Sequence, residues 1–554
     1  MRRNRLDTTL ITLPPTCTRS RNWKHDLLST SYSSGRLDRV NVLESETTGH
    51  TGCVNALSWA KEGAVLITGG DDTTVRLWRL GTDDTGQQDY PFVCDTVIHT
   101  AHRANIFNAQ MLPHSSRIVT VAGDSLVRVF DHEKAAGYSV IDGETQYHAR
   151  EAGIRVFRCH DGRVKRIVTE DSPDLFLTVA EDGSVRQHDL RVPHSCASNA
   201  CPAPLVLLDH ELSTLSLSPL TPYQFVVAGA SPYAYLFDRR HAGRHFHEEW
   251  GRPPSRDDVT TCVRRFGRTA RGPHERRGLE HITGAKIASS NGHEVLLSYS
   301  SDAVYLYSTK DDPQPTSIAT GDTALLPPNK TSHKYEEPVG DSSEIESTSH
   351  HGWSDRDALM DEDIERIQTE ETTDSDDPDS RNYSDDSDAE EDDEATSEAT
   401  GDECYSGMPT IMPRLRFAGA CNVETVKDVN FLGPKDEFVV SGSDDGNWFM
   451  WEKKTGRLHD ILEGDGAVVN VIEGHPYLPL VAVSGIDTTV KLFAPTAGPR
   501  KFSRLDQVDS IVNRNAEAAN ARGELLNLRM YYRLAQQMAQ SEGHGAPGPQ
   551  CPVQ

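Results

Sequence analysis

Hydrophobic and polar positions alternate in three short runs between Gly49 and Trp78. The runs cover Val54 to Trp59, Ala64 to Thr68 and Val75 to Trp78. A turn over Lys61 to Gly63 separates the first two, and Gly69-Gly70-Asp71-Asp72 separates the last two. Short period-2 runs punctuated by Gly and Asp predict antiparallel strands joined by tight turns. The pattern recurs at His102 to Asp131, His160 to Arg191, His210 to Arg240, Ile282 to Tyr307, Thr425 to Trp451 and Val468 to Phe493. A further alternating stretch, Arg39 to Leu43, precedes the first copy.

The unit resembles the WD repeat, one four-stranded blade of a β-propeller. Seven copies predict an all-β, seven-bladed WD-repeat propeller, with Arg39 to Leu43 completing the last blade and closing the ring. In such repeats an opening His, a strand Ser or Thr, a turn Asp and a final Trp form a buried polar set. His50, Thr68, Asp72 and Trp78 supply all four in the first copy. The third copy has His160, Thr178 and Asp182, with His188 at the Trp position; the sixth has Ser441, Asp445 and Trp451 without the His. Repetition at structural offsets assigns these groups to architecture and not to acid–base or metal chemistry. The expectation is no catalytic residue, no metal site and no cofactor.

Charge redraws the domain picture. The chain of 554 residues carries a formal −28. Between Glu336 and Glu403 stand 28 Asp and Glu against three Arg, a net of −25, so about −3 remains for everything else. From 309 to 413 apolar residues nearly vanish, which predicts a disordered acidic insertion between blades five and six. Ser375, Ser384 and Ser387 each precede acidic residues, the pattern of acidophilic kinase sites. The domain reading is therefore a leader over 1–38 with a short docking helix at 22–32, then blades one to five over 39–308. The insertion follows, then blades six and seven over 414–495 and a helical segment over 505–540. A basic loop spans 239–277; without interleaved aromatics it predicts no specific nucleic-acid reading.

Ten cysteines include no Cys-x-x-Cys pair, Cys196 and Cys201 being the nearest two. This usage, with no apolar leader and no window near the roughly 20 apolar residues of a membrane span, predicts a soluble intracellular protein with structural thiols.

A narrower likeness lies in HDGRVKRIVTEDSPDLFLTVAEDGSVRQHDLR, SPYAYLFDRR, HEVLLSYSSDAVYLYS, ETVKDVNFLGPKDEFVVSGSDDGNWFMW and HPYLPLVAVSGIDTTVKLF. Together these resemble the cullin-4-associated WD-repeat factors, closest to the subgroup of associated factors five, six and eight. The resemblance implies a substrate receptor of a cullin-4 RING ubiquitin ligase, found in nucleus and cytoplasm. It would be held by the large subunit of the damaged-DNA-binding adaptor and would present protein substrates. In that family a box ending Trp-Asp-x-Arg marks the blades facing the adaptor. Here His188-Asp189-Leu190-Arg191 and Phe237-Asp238-Arg239-Arg240 keep Asp and Arg. Asp189, Arg191, Asp238 and Arg240 are thus the expected adaptor contacts, joined by Trp23 of the leader helix. Two alternatives stay open: the Asp–Arg pairs tie adjacent blades together, or the protein is a chromatin scaffold whose acidic segment engages histones or other basic proteins.

Overall fold

The computed structural model describes residues 18–43, 49–81, 90–141, 143–194, 196, 201–240, 262–268, 280–313, 405, 408–423 and 425–519, with side chains from residue 25 onward. Its strands form seven sheets, the blades of a propeller. The first strands of the blades are Val54–Ala60, Ile106–Met111, Val164–Thr169, Leu212–Leu217, Ile282–Ile287, Val429–Leu432 and Val469–Gly474. Each packs beside the next, and the last beside the first, so they line the central axis.

Side chains on these strands latch neighbouring blades. Ser58 donates to Ala109 O (2.7 Å), Gln110 to Ile167 O (2.9 Å) and Asn430 to Ile472 O (3.1 Å). The second strands, such as Val65–Gly70 and Phe438–Gly442, are buried along their whole length. A blade covers neither of its faces alone, so both faces of these strands are closed by the adjacent blades.

Ring closure uses the far end of the chain. Leu37–Leu43 pairs antiparallel with Val490–Pro495 as the outer strand of blade seven. The Asp38 carboxylate accepts the backbone N–H groups of Lys501 (2.7 Å) and Phe502 (2.9 Å), and the Arg39 guanidinium lies 3.5 Å over the Phe502 ring.

Two boundaries differ from the sequence reading. The acidic insertion interrupts blade five and does not follow it: Leu415–Phe417 pairs with Val304–Ser308 as that blade's fourth strand. Its two ends are clasped, Arg414 donating to Asp311 at 2.7 and 2.5 Å. The returning chain is also ordered, since Thr410–Ile411 pairs parallel with Cys262–Phe266 and the buried Arg265 donates to Thr410 Oγ1 (3.0 Å) and Tyr405 O (3.1 Å). Second, the basic stretch 239–277 is not one loop, because Cys262–Phe266 inside it is the outer strand of blade four. Outer strands lie at or near the sheet edge and need little periodicity, so a basic or Pro-rich context hides them.

The predicted C-terminal helix is described over 508–519. Ile511 is buried with Phe449 and Trp451, Val508 and Val512 pack beside it, and Asn515 donates to Gly419 O (2.9 Å). The phosphorylation candidates Ser375, Ser384 and Ser387, most of the acidic insertion, and 520–540 lie outside the described residues.

Candidate functional site

The predicted polar sets act as internal supports for the site. In blade one Trp78 Nε1–H donates to Thr68 Oγ1 (3.0 Å). Indole is a donor only, so the Thr68 proton goes to His50 Nε2 (2.7 Å), leaving His50 Nδ1–H for Asp72 (2.9 Å). Blade three runs the same relay with a different donor. His188 Nε2 meets Thr178 Oγ1 at 2.8 Å, Thr178 meets His160 at 2.8 Å, and His160 meets Asp182 at 3.0 Å. Burial, reinforced by the nearby His160 and Arg186, pushes His188 well below its usual pKa, so it stays neutral and keeps its N–H.

Blade six departs from the expectation. Trp451 donates to Ala418 O (3.2 Å) and Ser441 to Gly442 O (3.2 Å), so no relay forms. Without a His between Ser441 and Asp445, the hydroxyl has no acceptor across the sheet. Blade seven substitutes ions, with Lys491 between Asp487 and Asp465.

His475 sits in the seam between blades seven and one. Its Nε2–H donates to Gly63 O (3.1 Å), and its Nδ1 accepts the N–H groups of Tyr477 (3.0 Å) and Leu478 (2.9 Å). Gly63 has φ +88°, and a Cβ there would collide with the His475 ring, so glycine is required twice over. Burial pushes the His475 pKa down to about 4. An unfolded His titrates near 6.5, so this group's contribution is complete above that pH and is lost as pH falls toward 4. The full loss is up to about 3 kcal/mol, from about 1.4 kcal/mol per unit. Asp72 and Asp182 lie in a separate window. Burial opposes their ionisation, but hydrogen bonds from His50 and His160, joined by backbone N–H donors, hold both below the usual carboxylate range. Their contribution is present above about pH 4 and lost below it. The urea midpoint is therefore expected to drop between about pH 6.5 and 4, and His475→Gln should reduce that drop, leaving the part that His188 and the other buried imidazoles contribute; an unchanged slope would reject the assignment.

The axial channel is polar and cross-paired. A cavity of about 280 Å³ is lined by residues including Ser58, Asn108, Gln110, Lys286, Asp428 and Glu473. Arg166 of blade three pairs with Asp428 of blade six, and Lys286 lies 3.8 Å from Glu473. These ion pairs join blades.

The Asp–Arg pairs have a different character. Asp189 ends the third strand of blade three, Ser184–Asp189, and Asp238 ends that of blade four, Ala234–Asp238. Each grips the Arg two residues later through both carboxylate oxygens. Arg191 donates from Nε (2.9 Å) and Nη2 (2.7 Å) to Asp189, and Arg240 from Nε (2.9 Å) and Nη2 (2.6 Å) to Asp238. The hydrogen bonds from Arg191 hold the Asp189 carboxyl below its usual range. The Arg240 guanidinium also stacks 3.9 Å over Tyr223. Yet the Arg side chains remain 63% and 60% exposed.

Each of these hydrogen-bonded pairs forms within a single blade, and the tie between blades three and four rests on another residue. Arg239 makes it, donating to Gln187 Oε1 of blade three (2.7 Å) and pairing with Glu170 (2.7 Å). What the geometry leaves is two oriented guanidinium groups at equivalent positions of adjacent blades. Exposed Val192 (54%) and Leu220 (59%) stand in the neighbouring turns. Sequence reasoning missed these two apolar residues, since nothing local distinguishes an exposed Val or Leu from a core one.

Comparison with known proteins gives the same repeat. The family model described as WD domain, G-beta repeat matches residues 41–79. The chain is a WD-repeat protein. WD repeat protein iqw1 of Schizosaccharomyces pombe is 34% identical over 49% of the chain and 32% of its own length. DDB1- and CUL4-associated factor 6 of Homo sapiens is 30% identical over 50% of the chain and 29% of its own length. Protein ALTERED SEED GERMINATION 2 of Arabidopsis thaliana is 26% identical over 87% of the chain and 90% of its own length. The matched stretch thus spans about a third of the first of these relatives.

In this WD-repeat protein the leader helix covers Thr18–Ser33, longer than the predicted 22–32. Leu28 and Tyr32, one turn apart, are buried, and Tyr32 joins the cluster of Leu37, Leu432 and Phe438. Ser29 Oγ donates to Glu437 Oε1 (2.6 Å), in the turn between the first two strands of blade six. The helix is therefore seated on blades six and seven, whereas Arg191 and Arg240 belong to three and four. The structure does not bring Trp23 together with them, and the Trp23 side chain lies outside the described residues.

Proposed function

We propose that this protein is a non-enzymatic substrate receptor that links target proteins to a cullin-4 RING ubiquitin ligase through the damaged-DNA-binding adaptor. The observation carrying this reading is the matched pair of exposed, carboxylate-oriented arginines on neighbouring blades. An Arg presents a planar fork of donors, and its prior fixation by Asp lowers the entropy lost on binding. Partial similarity to a relative named for association with DDB1 and CUL4 supports the same choice. In such an assembly the receptor raises the effective concentration of substrate lysines near the ubiquitin-loaded enzyme, and the chemistry belongs to other chains. Nuclear and cytoplasmic residence belongs to the same proposal.

The test is affinity purification of the full chain from its own cells followed by mass spectrometry. Adaptor and cullin-4 should copurify well above an unrelated propeller control; their absence would sink the proposal. The acidic segment motivates the second reading, a scaffold for histones or other basic proteins, because 28 acidic residues stand against three Arg between 336 and 403. Salt-sensitive histone capture lost on deleting 336–403, with no adaptor recovered, would favour it.

A further inference from the structure

The fold gathers four metal-ligating side chains that are scattered in the sequence. Cys159 follows the outer strand of blade two, Gly153–Phe157, and directly precedes His160 of the blade-three relay. His194, Cys196 and Cys201 follow the third strand of blade three, just beyond Arg191. Their ligand atoms all lie within 4.8 Å of one another. Cys159 Sγ is 3.6 Å from Cys196 Sγ and 3.3 Å from His194 Nε2, and Cys196 Sγ is 3.1 Å from His194 Nε2.

We propose that Cys159, His194, Cys196 and Cys201 form a tetrahedral structural zinc site joining blades two and three. Zinc binds thiolate at about 2.3 Å and imidazole at about 2.0–2.1 Å, so a tetrahedron has S···S edges of about 3.8 Å and S···N edges of about 3.6 Å. The observed separations approach those edges. A disulfide requires about 2.05 Å between sulfurs and would leave a third thiol and the imidazole idle. Three soft sulfurs and one imidazole select zinc over the hard oxygen-loving cations.

Four protein ligands close the coordination shell, which makes the site structural and not catalytic. Support around the ligands is in place. The Arg158 N–H donates to Cys196 Sγ (3.3 Å), and the His194 ring stands near-parallel to Phe157 with centroids 6.1 Å apart. Backbone donors of this kind stabilise a thiolate, and packed outer-shell groups hold ligands in orientation.

The consequence is mechanical. The chain leaving Arg191 would be anchored three residues later, at His194, to the linker that carries His160. Metal binding closes the stretch from Cys159 to His194 as one loop and adds its free energy to folding. Sequence spacing hid this arrangement, because His-x-Cys-x4-Cys has no Cys-x-x-Cys and its fourth ligand lies 35 residues upstream of His194.

The proposal stands apart from the receptor reading and is tested on metal content alone. The full chain, expressed with zinc supplied and then desalted, should carry about one equivalent by plasma mass spectrometry. Cys196→Ser combined with Cys201→Ser should abolish that content, whereas Cys94→Ser, outside the cluster, should keep it. His194→Cys should also keep it, since four thiolates suit the same ion. Cobalt(II) in place of zinc should give the intense visible absorption of tetrahedral thiolate coordination in the unmodified chain, a readout that does not depend on the serine variants folding. A substoichiometric zinc content in the unmodified chain, zinc retained by the double serine variant, or octahedral cobalt spectra would each overturn the site.

Discussion

Replacing Arg191 and Arg240 together by alanine is expected to weaken adaptor binding by about a thousandfold while leaving the fold intact. Hot-spot arginines at the centre of an interface cost about 2 kcal/mol or more each, and about 4 kcal/mol corresponds to three decades in Kd. Removing the exposed Arg191 should move stability by no more than about 0.5 kcal/mol, whereas removing Arg240 takes two donors from the buried Asp238 carboxylate and should cost about 1–3 kcal/mol. The single variants separate the two effects, since Asp189 is partly exposed and Asp238 is buried. Binding to purified adaptor, measured by interferometry beside a urea midpoint, reads both. Unchanged affinity would reject these residues as contacts, even if the adaptor copurifies with the protein. Arg239→Ala provides the contrast. It removes the tie to Gln187 and Glu170, so it should lower stability and leave the presented guanidinium groups in place.

Trp78→Ala should destabilise blade one by about 3–5 kcal/mol, the cost of truncating a buried Trp. Trp78 is 3% exposed and packs with Leu43, Leu66 and Leu480, so the cavity would open at the seam where blade seven meets blade one. It would also withdraw the N–H that lets Thr68 direct its own proton to His50. The protein contains two natural comparisons. Phe130 occupies the same position in blade two, where His102 still bonds Thr120 (2.8 Å) and Asp124 (3.0 Å). His188 occupies it in blade three and keeps a donor. Trp78→Phe retains most of the volume and should cost about 1–2 kcal/mol, chiefly the lost hydrogen bond. Trp78→His retains the donor and loses volume, and should fall between Phe and Ala. Urea midpoints at pH 7.5, above the His475 window, give the order. A Trp78→Ala midpoint equal to that of Trp78→Phe would show that the cavity term is absent.

The elements written locally were legible in the chain. Period-2 alternation and Gly/Asp turns placed the first three strands of the blades, because strand faces and tight turns depend on neighbours within a few residues. The resemblance to WD repeats placed the His50, Thr68, Asp72 and Trp78 set, because a relay across adjacent strands keeps its members at fixed offsets within the repeat. The Asp–Arg candidates came instead from the resemblance to the cullin-4-associated factors, whose Trp-Asp-x-Arg box falls at the ends of two third strands.

What the sequence could not supply was the origin of two outer strands. Cys262–Phe266 and Leu415–Phe417 reach their blades from within a basic stretch and from beyond an acidic one, whereas the alternation of Arg39 to Leu43 already assigns that strand to the last blade. An outer strand is specified by the edge it finds, and finding it is a long-range event with little local signature. The same holds for exposure. Asp189–Arg191 and Asp238–Arg240 read as possible blade ties until Arg239 is seen to make that tie.

Blade number and strand type were therefore determined by the sequence itself, through periodicities that act over a few residues. Only the tertiary structure decided which segments complete blades four and five, which arginines face outward, and that Cys159 stands beside His194, Cys196 and Cys201. Those outcomes depend on contacts between residues tens to hundreds of positions apart, for which the chain carries no local period.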